Sequence, residues 1–314
     1  MKTEHATSGQ VLAEGKTKIV LPKGTDRVII VSKDDITAGD GARHNVVPGK
    51  GEWSTHTTSL AFYVLKIAGI PSSYISRRSP TEFEAYRCEM FPYEVVVRRF
   101  AYGSYRKRHP QIFEGFRFDT LVVEFYLKTS GKLFRGVRLE KDDPLITSIN
   151  NDGLIVVRPD IRKGSVDEKT QYISSSLLYE EKGAQMHPFK EIENLARRAF
   201  LALELLWKRQ DCTLVDLKIE CGLTDAGKLV IADVIDADSW RLLSPIGRHL
   251  DKQPYREGAS LEAVGDIYRE VAERTNRFGE LMNTGNDLRW ILSDLYTQDL
   301  LGIDVSNSPS FSLS

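Results

Sequence analysis

The chain has 314 residues, a formal net charge of −1 and 41% hydrophobic residues, which is typical of a globular protein with one large domain or two lobes around a cleft. A near-neutral charge provides no basic field for nucleic acid. The sequence contains no apolar run of about 18 residues, so we predict no membrane span. The N-terminus does not resemble a signal peptide, and the three cysteines fit neither a disulfide nor a metal pattern. We therefore predict a cytoplasmic protein.

The first part of the chain is predicted to form strand pairs around one helix. β-branched runs indicate strands, and apolar residues at helical spacing followed by Gly69 indicate a helix. The polar, basic segment 102–110 is predicted to be a loop or short turn. The predicted strands are 18–21, 28–31, 93–97 and 121–127, and the predicted helix is 54–67.

The second part begins with a segment, 129–188, in which turn residues alternate with short apolar runs, so we predict a small hairpin and long loops. The Ser-rich tail 306–314 is predicted to be disordered. Antiparallel strand pairs with helices between them predict an α+β fold. The remaining predicted elements are an amphipathic helix at 191–208, a hairpin of strands 213–220 and 228–233, and helices at 261–282 and 287–295.

Two N-terminal segments carry polar groups suited to phosphates. EGKTK (14–18) combines a glycine, which allows close backbone approach, with the cations Lys16 and Lys18. An exposed turn would have the same composition, and the Walker A spacing is missing. The segment DITAGDGAR (35–43) has two glycines, two acids and an arginine, which favours a flexible functional loop over a core strand.

A basic strand end offers a second phosphate-binding pattern. The predicted strand that carries Arg98 leads to Gly103 and Ser104, so a guanidinium, a hydroxyl and backbone N–H groups could face one anion. The adjacent run 106–108 is more typical of a solvated basic loop.

The hairpin DLKIE (216–220) is the strongest local signal. Alternate strand residues share a face, so Asp216, Lys218 and Glu220 project together beside a partner strand that ends at Asp233. Clustered carboxylates repel each other unless a cation lies among them, and Mg²⁺ bound to nucleotide phosphates is a common solution. A solvent-facing sheet with cross-strand ion pairs is the alternative explanation.

Together these segments resemble the SAICAR synthetase family across residues 14–256. That resemblance implies a two-lobed α+β fold that forms one catalytic unit. Residues 1–92 form the smaller lobe, residues 93–314 form the larger lobe, and the ATP cleft lies between the two lobes. The segments that carry it are EGKTKIV, DDITAGDGARH, CEMFPYEVVVRRFAYGS, FYLK, TLVDLKIECG, IADVIDADSWRLL and LDKQPYR.

The resemblance also implies a reaction. This family uses ATP and Mg²⁺ to join L-aspartate to carboxyaminoimidazole ribonucleotide (CAIR), giving SAICAR, ADP and phosphate in de novo purine biosynthesis through an acyl phosphate. The implied partners are small molecules, and self-association stays open. A related amide ligase, a small-molecule kinase on another phosphorylated substrate, and a catalytically silent nucleotide-binding protein are the alternatives.

The resemblance assigns roles to residues of this chain. For ATP and its metal, the phosphates are assigned to Lys16 and Lys18, the lining of the same cleft to Lys128, the adenine end to Glu89 and Met90, and Mg²⁺ to Glu220 and Asp233. Asp216 and Lys218 are placed beside the reacting groups as catalytic residues. The substrate-binding residues are Asp40, Arg43, Arg98, Ser104, Asp238 and Arg241. The resemblance leaves the aspartate-binding residues open, and Lys252 and Arg256 are candidates because a dicarboxylate needs cationic partners.

Overall fold

A computed structural model describes residues 11–128, 133–134, 137–138, 143, 145–150, 153–157, 170–173, 188–282 and 288–302. Its strands are β1 (Ala13–Glu14), β2 (Lys18–Lys23), β3 (Arg27–Ser32), β4 (Asp35–Ala38), β5 (Arg43–Val46), β6 (Tyr74–Arg77), β7 (Glu82–Tyr86), β8 (Cys88–Met90), β9 (Tyr93–Phe100), β10 (Arg117–Leu127), β11 (Leu133–Phe134), β12 (Val137–Arg138), β13 (Leu145–Asn150), β14 (Gly153–Val157), β15 (Thr170–Ile173), β16 (Thr213–Thr224), β17 (Leu229–Ala232) and β18 (Trp240–Leu243). The helices are α1 (Lys50–Ile67), α2 (Ser104–Arg108), α3 (Phe189–Lys208), α4 (Gln253–Arg256), α5 (Leu261–Thr275), α6 (Arg277–Met282) and α7 (Leu288–Leu300).

The N-terminal sheet has five strands in the order β1-β2-β3-β7-β6. The predicted pair of strands is confirmed as β2 and β3, which run antiparallel from Lys18 opposite Ser32 to Lys23 opposite Arg27. Alternate residues of β3 point inward, so Val28 and Ile30 are buried against Phe83. This sheet therefore presents an apolar surface that begins immediately after the EGKTK segment.

In the larger sheet, the long strand β16 pairs with different strands along its two parts. The first part of β16 lies between β9 and β18, and its second part pairs with β17 and β8. Beyond β9 the sheet continues through β10, β13, β14 and β15. Asp216, Lys218 and Glu220 lie where β16 changes its hydrogen-bonding partners from β9 and β18 to β17 and β8.

The main core lies beneath this sheet. Leu217 and Ile219 of β16 are buried there with Leu203 and Trp207 of α3, one face of which contributes apolar side chains along its length. Alternate residues of β16 thus face the core, in agreement with the prediction that Asp216, Lys218 and Glu220 project together from the other face. Because the core fixes this face of the strand, the opposite face is left for charged groups.

A buried ion network also lies beneath the sheet. Arg99 donates to Glu204 of α3 through Nε at 2.9 Å, and its Nη1 lies 3.4 Å from Asp299 Oδ1. Asp299 also accepts from Arg197 at 2.9 Å and from the backbone N–H of Leu121 at 2.7 Å. The Asp299 side chain is fully buried, so this carboxylate of α7 connects β9, β10 and α3.

Three sequence predictions need correction. Residues 35–43 are not a flexible loop, because most of them form the β4–β5 hairpin around a 3₁₀ turn (Gly39–Gly41). Part of the predicted loop 102–110 is the short helix α2. The predicted helix 261–282 is divided at Asn276 into α5 and α6, and α5 begins where the Ser260 hydroxyl accepts from the Ala263 N–H.

Other predictions fare differently. In the segment 129–188 the β13–β14 hairpin confirms the predicted small hairpin, whereas the predicted long loops and the tail 306–314 lie outside the described residues. The division into lobes near residue 92 stays a prediction. Of the helices in the described ranges, none has the length and apolar composition needed to cross a bilayer.

Candidate functional site

Three adjacent strands build a charged face above the core. Arg98 of β9 lies directly opposite Asp216 of β16 in the antiparallel register, and Glu124 of β10 lies opposite Val96. Residues two apart on each strand share this face. Asp216 and Glu220 are buried there, so the alternative of a solvent-facing sheet with surface ion pairs does not describe these carboxylates.

Arg98 is the centre of one half of this face. Its guanidinium donates from Nε to Glu124 Oε2 at 2.6 Å, from Nη1 to Asp216 Oδ2 at 2.7 Å and from Nη2 to Ser104 Oγ at 3.0 Å. Burial works against the charge, but Asp216 and Glu124 outweigh it, and the pKa of Arg98 rises above its usual value. The geometry keeps a cation and a hydroxyl together at a strand end.

Arg241 brings a second guanidinium to this half. It contacts Asp216 from β18, so one carboxylate orients both arginines. Gly103 makes room for it: its φ is +56°, and a Cβ at this position would lie 2.2 Å from Arg241 Nη2. Glycine suits this backbone conformation, and any Cβ at this position would force the Arg241 guanidinium to move.

Arg108 differs from the sequence prediction. Its side chain is not solvated, because only 7% of it is exposed and it contacts Glu124. Its guanidinium carbon also lies 5.7 Å from the centre of the Tyr126 ring. The basic run therefore contributes one arginine to the buried network, and Glu124 lies between two guanidinium groups.

Lys218 and Glu220 occupy the other half of the face. Lys218 Nζ donates to Glu94 Oε1 at 3.1 Å and lies 3.5 Å from Glu220 Oε1, while Lys128 Nζ donates to Glu220 Oε2 at 2.7 Å. Burial favours the neutral acid, but the three surrounding lysines outweigh it, and the pKa of Glu220 falls below its usual value. Glu220 is therefore a carboxylate at neutral pH.

Lys18 and Asp233 extend this half toward the N-terminal sheet. Their side chains are in contact, and Asp233 follows β17 directly with a φ of +69°. A left-handed conformation is uncommon for a residue other than glycine and occurs often at functional sites. Burial lowers the pKa of Lys18 to about 8, and nearby Lys218 and Lys128 add to that effect, whereas the Glu220 carboxylate favours the charged ammonium.

A cleft of 460 Å³ runs from these charges between the two sheets. Charged side chains line one end of it: Lys18, Lys128, Glu220 and Asp233. Its apolar walls are formed by Val20, Val28, Ile30, Ala85, Met90 and Ala232. An apolar slot with cations at one end suits a flat base joined to phosphates. Met90 borders the slot, and Glu89 is an exposed residue beside it on β8, which pairs with β16.

Asp238 lies in a third cluster, after β17. Its carboxylate is 3.1 Å from Lys50 Nζ and 3.6 Å from Lys252 Nζ, and it accepts from the Tyr268 hydroxyl. Burial opposes ionisation, yet Lys50 and Lys252 hold the pKa of Asp238 well below its usual range. Asp238 thus orients two lysines, of which Lys50 is 1% exposed and Lys252 is 13% exposed.

The remaining assigned residues lie on the β4–β5 hairpin and next to it. Asp40 is part of the 3₁₀ turn (Gly39–Gly41). Lys16 approaches that turn, since its Nζ is 3.9 Å from where a Cβ of Gly41 would lie. Arg43 donates to the Tyr255 carbonyl at 2.5 Å and stacks on the Tyr255 ring at 4.2 Å. These contacts connect the hairpin to the segment LDKQPYR.

Sequence reasoning missed several members of these clusters. Glu94 and Glu124 could have been found, because they lie four residues before Arg98 and four before Lys128 on strands where alternate residues share a face. Lys50 and Tyr268 carry no such signal, since each joins Asp238 from a helix distant in sequence.

The acids of the site are few. Among the described residues, no three His, Cys, Asp or Glu side chains converge where they could hold a metal ion. Glu220 and Asp233 both line the charged end of the cleft. Two carboxylates fit the chemistry of Mg²⁺, which commonly takes one or two carboxylates and completes its shell with phosphate oxygens and water.

Comparison with known proteins gives this arrangement a family. A SAICAR synthetase profile matches residues 11–133 and 162–275. Phosphoribosylaminoimidazole-succinocarboxamide synthase from Roseiflexus sp. (strain RS-1) is 42% identical over 282 residues, covering 85% of this chain and 97% of that protein. The chain belongs to the SAICAR synthetase family.

Solved structures of the SAICAR synthetase family agree with the fold. A SAICAR synthetase (Type-2) in complex with ADP has a TM-score of 0.65 and 29% identity, covering 85% of this chain and 97% of its own. SAICAR synthetase (Type-1) from Pyrococcus horikoshii OT3 has a TM-score of 0.63 and 28% identity, covering 82% and 97%. The predicted SAICAR synthetase-like α+β fold is confirmed.

Proposed function

We infer that the chain is a phosphoribosylaminoimidazole-succinocarboxamide synthase, which joins L-aspartate to CAIR with ATP and releases SAICAR, ADP and phosphate. The observation that carries this inference is the near full-length match to a synthase of that name. The ADP complex of a family member with the same fold supports ATP as the nucleotide. The residue roles below are proposals supported by the clusters described above.

The reaction requires an activated carboxylate. A carboxylate is a poor electrophile, so the γ-phosphoryl group of ATP is transferred to a CAIR carboxylate oxygen to form an acyl phosphate and ADP. The aspartate amine then attacks the acyl carbon, and the C–O bond to phosphate breaks as the amide forms. Positioning and charge stabilisation dominate such catalysis. Lys16, Lys18 and Lys128 fit the phosphates, and Lys218, held by Glu94, fits the transferring group.

Glu220 and Asp233 would hold the Mg²⁺ ion, which when bound neutralises charge on the nucleotide phosphates. Asp216 fits a positioning role for the substrate arginines, because its carboxylate contacts both Arg98 and Arg241. Together with Ser104, these arginines suit the ribose phosphate of CAIR, since guanidinium groups match phosphate geometry. Asp238 and Lys252 belong to a cationic cluster suited to the aspartate carboxylates.

The function is tested by measuring ADP release from Mg-ATP, CAIR and L-aspartate, with each omitted in turn. We expect release to require all three and to accompany a succinocarboxamide product detected by mass spectrometry. Release without CAIR would instead indicate a kinase or ligase acting on another substrate. Absence of release under every combination would indicate a silent nucleotide-binding protein.

Gly103→Ala is expected to raise the KM for CAIR severalfold, because the new Cβ would displace the Arg241 guanidinium. The positive φ should also cost about 1–2 kcal/mol of unfolding free energy. Gly227→Ala is the matched control, since Gly227 has a φ of +71° and no atom within 4 Å of its Cβ position. Equal KM values for the two variants would show that Arg241 does not act on CAIR.

A further inference from the structure

The two carboxylates assigned to Mg²⁺ are both in contact with lysines. Lys128 Nζ lies 2.7 Å from Glu220 Oε2, and Lys218 Nζ lies 3.5 Å from Glu220 Oε1. Lys18 contacts Asp233. Both oxygens of Glu220 and one oxygen of Asp233 therefore already have an ammonium group beside them, whose charge a metal ion on the same oxygen would meet.

An ammonium group and Mg²⁺ compete for these oxygens. Each carboxylate oxygen has two lone pairs, but Mg²⁺ requires near-octahedral oxygen ligands at about 2.0–2.1 Å, and two cations on one oxygen repel each other. Coordination by Glu220 is therefore opposed by Lys128 and Lys218 and is favoured when one of them withdraws. Coordination by Asp233 through the oxygen that contacts Lys18 is opposed in the same way.

The three lysines differ in how readily they can withdraw. Lys128 and Lys18 have 39% and 25% of their side chains exposed, and within the described residues each forms an ion pair with one carboxylate. Lys218 has a second partner, Glu94, at 3.1 Å. Lys218 can therefore stay in place when Glu220 is taken by a metal, whereas Lys128 and Lys18 need a new anion.

Nucleotide phosphates supply both missing components. They accept hydrogen bonds from displaced ammonium groups, and they complete the oxygen shell of Mg²⁺. Without a nucleotide, the metal would find only two carboxylates, since no three acidic, His or Cys side chains converge among the described residues. Binding of Mg²⁺ alone would also take the carboxylate partners of Lys18 and Lys128, which are both partly buried.

We propose that Lys18 and Lys128 are exchangeable counter-ions, which neutralise Asp233 and Glu220 and transfer to the nucleotide phosphates when Mg²⁺ binds these acids. This inference rests on the proposed use of Mg-ATP in this cleft. It assigns to the lysines a second role besides phosphate binding: they suppress binding of Mg²⁺ alone. Metal and nucleotide then bind with positive coupling. The nucleotide phosphates provide anions for the displaced lysines, and the metal replaces the lysines as the counter-ion of the two carboxylates.

The test is calorimetric titration of metal-stripped protein with MgCl₂ alone, with ADP alone and with MgCl₂ in the presence of ADP. For the unmodified chain, we expect the protein–ADP complex to bind Mg²⁺ at least about tenfold more tightly than free ADP binds Mg²⁺. Lys128→Gln should bind Mg²⁺ alone about fivefold more tightly, since a competing cation is removed. The same variant should bind Mg-ADP about tenfold more weakly, since a phosphate contact is lost.

The opposite signs of these two effects separate the proposal from a simple loss of affinity. Lys18→Gln should repeat the pattern through Asp233, and Lys190→Gln, an exposed residue of α3 outside the cleft, should leave both constants unchanged. The proposal is overturned if Lys128→Gln and Lys18→Gln bind Mg²⁺ alone no more tightly than the unmodified chain. Unchanged Mg-ADP affinity in both variants would overturn it equally.

These titrations use neither CAIR nor aspartate. A chain that shows the opposite-signed effects but forms no SAICAR would support the counter-ion exchange and reject the proposed synthase reaction. A chain that forms SAICAR but lacks these effects would support the reaction and reject the exchange.

Discussion

Glu220→Gln is expected to lower kcat by at least about 100-fold. Glutamine keeps the size of the side chain, but it removes the negative charge that lies between Lys218 and Lys128 and that we assign to Mg²⁺. The measurement is ADP release at saturating CAIR and aspartate over a range of Mg²⁺ concentrations. We expect higher Mg²⁺ to restore only part of the activity, because the neutral amide is a poor ligand for a hard cation.

Glu262→Gln is the control for this prediction, since Glu262 is an exposed carboxylate in the first turn of α5. It should leave kcat and the Mg²⁺ requirement unchanged. If Glu220→Gln turned over at a near-normal rate with an ordinary Mg²⁺ requirement, the metal assignment would be wrong.

Arg98→Gln is expected to raise the KM for CAIR at least about tenfold and to lower the free energy of unfolding by about 1.5–3 kcal/mol. The second effect follows because Glu124 and Asp216 are buried and would each lose a charged partner. Substrate dependence and urea unfolding, measured on the same preparation, report the two effects separately.

Arg241→Gln separates substrate binding from folding. Asp216 keeps its bond to Arg98 in this variant, and Arg241 is more exposed than Arg98, 18% against 3%. We therefore expect a similar rise in the KM for CAIR with a smaller loss of stability. Unchanged CAIR dependence in both variants would reject the phosphate role of this half of the site.

The strands of the site could be predicted because their signal is local. β16 alternates charged residues with Leu217 and Ile219, and this period of two identified both the strand and its charged face. The β2–β3 hairpin followed from β-branched runs on either side of turn residues. The α+β fold class followed from antiparallel strand pairs with helices between them, whereas the reaction came from the joint order of motifs, because no single motif specifies it.

The unpredicted parts depend on contacts between segments that are distant in sequence. Residues 35–43 have the composition of a loop, but they form a hairpin whose Arg43 packs on Tyr255, 212 positions away. The sequence around Arg108 is typical of a surface loop, but its contact with Glu124 allows the side chain to be buried. Lys50 would be expected at the surface of a helix, yet Asp238 and the Tyr268 ring provide the partners that allow its burial.

The ion network beneath the sheet has a consequence for synthesis of the chain. Arg99 follows Arg98 directly on β9, and its buried partner Asp299 lies 200 positions later. Domains begin to fold while the ribosome is still adding residues, and a buried guanidinium without its full set of anions is costly. Arg99 and Arg197 therefore lack one of their anions until α7 has left the ribosome exit tunnel. The ion network beneath the larger sheet is consequently completed only long after β9 itself has been made.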